Sequence, residues 1–460
     1  MIDKQAYPRA LLLLAALFGL SACSLPFGPP PAPRTVPEPK PPVAPCIVLS
    51  LPSSGPYEPI ATKIRRGAGM ARQEIIGQGR PLRLEIVNTE GPRWLAELAA
   101  LPRECAVVGG PLQANRYDEA RKSGLAEQRT FFTFLPSLES GDEGALAWRF
   151  FPGPQDQIDA LVSFATDTLN IRTYGAFYPA DAFGERMTAL LGQSLAARGM
   201  FLQKAPYLPG DVTVWSDAAA ALLRPVTGPD GRTPVPQTAF EALFLPDSWK
   251  NMDMLCTSLL YNGEDRLVLL GTTLWEQGLS GKILSDAEKF VLAVFPGAWN
   301  PVAAPASLKA QSGDFWMALG YDFTRFAAGL DIASRLSSAE VGAKARAVQM
   351  PWSMAPISWD GAGAAHQNLW IFQVSPLGMT PVNAELFAQN RAAVLQRAAL
   401  RMQGLPAVDA QGNPVAPLPG MPAQNAAGAD GQHAPQDQPA ALPMSSTPKS
   451  SYKLSLPRAR

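Results

Sequence analysis

Between residues 46 and about 403 the chain alternates short apolar runs with stretches of helical period. This alternation limits the possible folds more than any other feature of the sequence. Cys46-Ile47-Val48-Leu49-Ser50-Leu51 is a continuous apolar run that stops at Pro52-Ser53-Ser54-Gly55-Pro56. Such a run marks a strand buried on both faces and followed by a turn. Ile60, Ile64, Ala68, Ala71 and Ile75 then fall at helical spacing. Arg83 to Val87 reads as a second strand, and Trp94, Leu95, Leu98 and Leu101 mark a second helix. Ala106-Val107-Val108 before Gly109-Gly110-Pro111 reads as a third strand and its turn. The pattern resumes with a helical face at Ile158, Leu161, Val162, Ala165 and Leu169, then a strand over 173–178 and a helix carrying Phe183, Met187, Leu190, Leu191 and Leu195. Strands over 240–245, 267–270 and 291–295 follow, then a long helix carrying Phe315, Leu319, Phe323 and Phe326. Parallel strands need crossover connections, so this alternation predicts an α/β protein with helices on both faces of parallel sheets. Roughly 350 residues is large for one such sheet. Two doubly wound α/β lobes are therefore expected.

The chain ends read differently. Lys4 and Arg9 precede an apolar stretch over 10–20, too short to span a bilayer, and Leu20-Ser21-Ala22-Cys23 closes it. This resembles the bacterial lipobox, which implies a signal peptide over 1–23, lipidation of Cys23 and attachment to a membrane through that lipid. Ser24 stands where an inner-membrane retention signal often has Asp, so the resemblance to Gram-negative lipoproteins implies the periplasmic face of the outer membrane. Ten of the 46 prolines fall within residues 24–45, which marks an extended tether that packs no core. Residues 404–460 are rich in Ala, Pro, Gln, Gly and Ser and are expected to form a disordered tail.

Charge and motif content narrow the function. Lys plus Arg equals Asp plus Glu at 39 each, which argues against a nucleic-acid partner. Two histidines leave little for a His-based relay or a His-rich metal site. The sequence has no P-loop signature, no H-E-x-x-H and no paired C-x-x-C. Ser446-Thr447-Pro448-Lys449 matches S-x-x-K, but its proline and tail context oppose a catalytic helix. Gly67-Ala68-Gly69 lies inside a helical pattern and is read as small residues for close packing. No enzyme activity and no cofactor are expected.

Several segments, in order, resemble the type I periplasmic binding proteins. Leu49 to Tyr57 with Arg66-Gly67-Ala68 resembles their opening, and Val108-Gly109-Gly110-Pro111-Leu112 their third strand and loop. Trp148 to Gln157 is similar to the crossover into the second lobe. Tyr178 to Gly184 resembles the next strand and loop, and Gly320-Tyr321-Asp322 the helix that returns to the first lobe. The resemblance implies a first lobe of about 46–150 and 291–345 and a second of about 151–290 and 346–403, two doubly wound parallel-sheet lobes with a hinge and an interlobe cleft. Two families within this group are similar. In branched-chain amino-acid binding proteins a hydroxyl-rich loop after the third strand holds the ligand carboxylate; here that loop is Pro111-Leu112-Gln113-Ala114-Asn115. Their acid for the ligand ammonium has Glu276 as its nearest counterpart. Phe240 to Asp247, a helix, and Leu270-Gly271-Thr272-Thr273 resemble the C-terminal domain of the penicillin-binding protein activators, which are outer-membrane lipoproteins. The resemblance implies either a peptidoglycan synthase as partner or a small polar ligand delivered to an importer.

Open α/β sheets bind ligands at the carboxyl ends of their strands. Ser54 and Tyr57 follow the first strand, Gly110 the third, and Thr272 and Trp275 a strand of the second lobe. With Phe183 these are the candidate cleft residues; Trp275 would stack on a ligand or plug the cleft. Apart from Cys23 the chain holds Cys46, Cys105 and Cys256, an odd number for an oxidising compartment. Cys46 opens the first strand and Cys105 the third, which are neighbours in a sheet of order 2-1-3. Their separation would fall within disulfide range, leaving Cys256 a buried thiol.

Overall fold

The computed structural model describes residues 44–405 apart from residue 230. The expected signal peptide over 1–23 with Cys23, the proline-rich stretch to Val43, and the tail after Leu405 with Ser446–Lys449 lie outside the described residues. Strand β1 (Cys46–Leu51) is buried along its whole length. It lies between β2 (Arg83–Asn88) and β3 (Val107–Gly109), and β4 (Thr130–Thr133) and β5 (Ala147–Arg149) extend the sheet. The order is β2-β1-β3-β4-β5 and every pairing is parallel. Helices α1 (Glu58–Gly77), α2 (Trp94–Ala100), α3 (Ala114–Lys122) and α4 (Leu125–Gln128) make the connections as far as β4, and a loop leads on to β5. The face of α1 read from the sequence is the buried one: Ala61, Ile64, Gly67, Ala68, Ala71 and Ile75 point inward.

Cys46 and Cys105 form a disulfide with their Cα atoms 4.5 Å apart. Cys105 does not open the third strand. The β1–β3 register pairs Ile47 with Val107, and Cys105 lies two residues before β3. The chain bends there, with Cys105 N donating to Pro102 O at 3.0 Å. That bend brings Cys105, and not Ala106, to the same side as Cys46. Cys256 is a buried free thiol whose pKa burial pushes up to about 12.

After β5 the chain crosses at 150–153 into the second lobe. There α5 (Pro154–Ser163), β6 (Tyr174–Pro179), α6 (Ala182–Ala196), β7 (Leu202–Tyr207) and α7 (Trp215–Leu223) follow, then a small hairpin of β8 (Val226–Thr227) and β9 (Pro234–Val235). Strand β10 (Ala242–Phe244), α8 (Met252–Tyr261), β11 (Val268–Leu270), α9 (Leu274–Leu279) and β12 (Ala293–Gly297) complete the parallel part. The chain then returns to the first lobe through α10 (Ala306–Lys309), α11 (Phe315–Leu330), α12 (Ser338–Ala347) and a hairpin of β13 (Ile357–Trp359) and β14 (Ala365–Gln367). A third crossing at 368–369 leads to β15 (Trp370–Ser375), β16 (Gly378–Pro381) and α13 (Ala384–Met402). The second sheet has the order β16-β15-β12-β11-β10-β6-β7, with β15 and β16 antiparallel.

The lobe limits inferred from the sequence therefore shift. Residues 291–297 belong to the second sheet, because β12 pairs with β11 and β15. Residues 346–367 belong with the first lobe, because Trp359 packs into its aromatic core, 4.9 Å from Phe326 and 6.0 Å from Phe132 between ring centroids. Helices α1 and α11 cross there in backbone contact. A Cβ on Gly67 would strike the Met317 carbonyl, and one on Gly320 the Ile64 carbonyl. Gly67 thus serves the close packing read from its sequence context.

Candidate functional site

The three crossings share one geometry. The first leaves the carboxyl end of β5, the second leaves that of β12, and β15 begins opposite Gly297 at the same edge. The carboxyl edges of both sheets therefore border the hinge. On the first sheet, Ser54 is exposed and Tyr57 is half-buried at the N-terminal cap of α1. Ser53 is tied down on both sides: its N donates to Asn88 Oδ1 at 2.9 Å, and its Oγ accepts from Arg65 at 3.1 Å. Gly110 has φ +91° and precedes a cis proline, and a Cβ there would meet Ser50 O at 2.5 Å. This glycine lets the third-strand turn pass close beside the end of β1.

On the second sheet, Thr272 is buried and its Oγ1 accepts from Leu274 N at 3.3 Å, which starts α9. Trp275 has no exposed surface. Its Nε1 donates to Asp247 O at 3.1 Å, and it packs edge-on to Trp249 with centroids 5.5 Å apart. The indole closes the end of β11 over Gly271. Phe183 is half-buried against the core of this lobe. Ser54, Tyr57 and Gly110 thus share one sheet edge; Phe183, Thr272 and Trp275 share the other.

Of the polar groups around the hinge, the resemblance assigns a role to Glu276 alone. Arg149 Nη1 lies 2.7 Å from Asp156 Oδ2, and both side chains are buried. Asp156 Oδ1 accepts from Gln367 N at 3.1 Å, and Arg149 also donates to the Ala365 carbonyl, so one ion pair joins the first and third crossings. Asp322, fully buried on α11, accepts from Ser353 N, Ser353 Oγ and Met354 N at 2.7–3.1 Å. Burial pushes its pKa up to about 6, against the pull of those donors. Gln157 Oε1 accepts from Thr273 N at 3.1 Å and lies 3.2 Å from Thr273 Oγ1. Glu276 lies near Gly297, beside the second crossing. Desolvation first, and the negative charge of Asp314 second, push its pKa up to about 8. Asp314 comes from the other lobe, caps α11 through Met317 N at 3.0 Å and pairs with Lys63 at 2.5 Å. Phe151, Phe315 and Trp316 cluster at the first crossing with centroids 5.1–5.7 Å apart. The segment Trp148 to Gln157 holds the crossing, but nothing in its spacing announces the Arg149–Asp156 pair. Among the described residues no cluster of potential metal ligands occurs, and no helix is long and apolar enough to cross a membrane.

Two doubly wound lobes joined by three crossings at their carboxyl edges define the fold of the type I periplasmic binding proteins. Solved structures with this fold superimpose on the chain. Full-length LpoA from Haemophilus influenzae matches with a TM-score of 0.55 and 13% identity, over 74% of this chain and 59% of that one. The chain thus spans about three fifths of full-length LpoA. The LpoA C-domain, described as a regulator of PBP1A, is covered over 100% of its length with a TM-score of 0.54 and 13% identity. A putative branched-chain amino acid ABC transporter protein from Rhodospirillum rubrum is also covered over 100%, with a TM-score of 0.55 and 12% identity. At these identities the likeness is one of fold. No protein-family model matches the chain, and no curated protein does.

Proposed function

We propose that this protein is a non-enzymatic, lipid-anchored envelope protein that regulates a peptidoglycan synthase. The observation that carries this reading is the apolar filling of the hinge region. Ala298 just after β12, Ala355 of the first lobe and Leu369 of the third crossing pack with Phe315 and Trp370. Phe151 and Trp316 add to them, and Trp275 is withdrawn into the lobe core. A clamp for a small solute needs a cleft that opens and closes around it; a packed hinge suits a scaffold that presents its surface to a protein. Coverage of the whole LpoA C-domain agrees with this role. The N-terminal lipobox supplies the anchor, at Cys23, and Ser24 directs it to the outer membrane.

One observation favours a second reading, capture of an amino acid or similar solute. Glu276 faces Asp314 across the lobes, and an ammonium group would relieve both carboxyls. Ser54, Tyr57 and Phe183 would then border the ligand, while the buried Gly110, Thr272 and Trp275 shape the strand ends behind them. The two readings separate in one pair of measurements. Purified protein is added to a class A penicillin-binding protein in a lipid II polymerisation assay and, separately, to a thermal-shift panel of amino acids, peptides and muropeptides. A change in polymerisation with no thermal shift supports the regulator. A concentration-dependent shift with an amino acid and unchanged polymerisation overturns it.

A further inference from the structure

The three crossings are bonded to one another as well as packed. Asp156, on the first turn of α5, is the second-lobe side chain that reaches back. Its Oδ2 accepts from Arg149 Nη1 and from Gly153 N, both at 2.7 Å, and its Oδ1 accepts from Gln367 N at 3.1 Å. Arg149 and Gln367 belong to the first lobe, as the last residues of β5 and β14. One carboxylate thus spans the first crossing and fastens it to the residue that precedes the third. Gln367 carries the link onward. Its Nε2 donates to Ala355 O at 2.6 Å, and Ala355 N donates to Ala298 O at 2.8 Å, where the chain leaves β12. The Arg149 guanidinium is held in turn by Glu143 Oε1 at 3.3 Å and by the carbonyls of Phe151 and Ala365. Glu143 Oε1 also accepts from Ala365 N at 3.0 Å. Gly153 permits this approach, since a Cβ there would meet Arg149 Nη1 at 2.7 Å. Arg149, Asp156, Ala298, Ala355 and Gln367 are all buried.

A hinge opens by changing φ and ψ at a few residues of its connections while the lobes move as bodies. Rotation about 150–153 would swing α5 against β5 and β14, and so break both bonds of Asp156 to first-lobe residues. Rotation about 368–369 meets the same carboxylate. Movement at the second crossing pulls Ala298 from Ala355. A buried carboxylate and guanidinium that lose each other are costly to leave unpaired. We propose that this run of bonds is a brace that holds the two lobes at one angle, so that a solute in the cleft does not move them. A ligand shifts a conformational equilibrium only by binding its two states unequally; the brace leaves one state to bind. The brace concerns the hinge alone and does not rest on the regulatory reading.

The test is the distance between spin labels at Ser54→Cys and Ala182→Cys, exposed positions at the carboxyl edges of the two lobes. The full chain in detergent is measured by pulsed electron paramagnetic resonance, alone and with a panel of amino acids. The labelled parent should give one narrow distance that no amino acid changes. Two variants of nearly unchanged side-chain size release the brace. Asp156→Asn turns an acceptor oxygen into a donor that faces other donors. Gln367→Leu removes the tie to Ala355 and keeps the backbone N–H on Asp156. Each should add a second, longer distance. A parent with two distances, or with one that shifts on adding an amino acid, overturns the brace, and so do folded variants that keep the parent's distance. If neither variant folds, hydrogen exchange in the parent decides. The amides of Ala355 and Gln367 should exchange as slowly as those of β1, and exchange faster by about tenfold or more overturns the brace. No synthase enters these measurements, so the regulatory reading stands or falls separately.

Discussion

Glu276 and Asp322 are carboxyls that the fold solvates poorly, and they respond to pH in the same direction. The pKa of Glu276 rises from 4.5 to about 8 on folding, so the native state binds the extra proton between those limits. Stability is then present at low pH and falls as pH rises toward 8. Glu276→Gln should flatten that slope and raise the melting temperature at pH 9 while changing it little at pH 5, as followed by calorimetry at both. An unchanged slope in the variant would remove Glu276 as its source. Asp322 holds four donor contacts, so Asp322→Ala strands buried N–H groups of Ser353 and Met354. A loss of about 3 kcal/mol in urea unfolding is expected. Neither role was legible in the sequence. Glu276 was the nearest acid by position, but the Asp314 charge that faces it lies 38 residues away in the chain and in the other lobe. Trp275 was placed at the correct strand end, yet its burial depends on Trp249 and Phe295, which only the folded lobe brings to it.

At the scale of elements, β1, α1 and α11 were legible because each has a long, clean apolar pattern. The strands that escaped have none. β4 and β5 are four and three residues long. β7 is an edge strand whose Gln203 and Lys204 face solvent, so Leu202–Tyr207 reads as polar. The β13–β14 and β15–β16 hairpins are short and antiparallel, and an expectation of strand–helix alternation passes over them. Missing them moved the lobe limits. The α1–α11 crossing offers a direct test. Gly67→Val places a branched side chain against the Met317 carbonyl, which cannot move without shifting α11. A destabilisation of about 3 kcal/mol or more is expected in chemical denaturation. The Cys46–Cys105 bridge has its own readout: protein unfolded without reductant should show one free thiol, Cys256, besides position 23. Cys105→Ser should lower stability by about 2–4 kcal/mol, and an equal midpoint with and without reductant in the parent would contradict the bridge.

For the whole molecule, the described residues from 44 onward form one compact unit despite their two sheets. The Arg149–Asp156 pair and the aromatic hinge cluster tie the crossings to one another. Membrane attachment is the prediction at this scale. Cys23→Ser should move the expressed protein from the detergent phase to the aqueous phase, and a variant that partitions like its parent would remove the anchor. If the chain is tethered upstream of the fold, the disulfide acquires a mechanical meaning. Any tension on the chain arrives at Cys46, the first residue of a strand held on both sides. The bond at that residue passes the load directly to Cys105, so tension bypasses the backbone ladder of β1. The first lobe is clamped where a leash would pull, and a reduced protein should yield there at lower force.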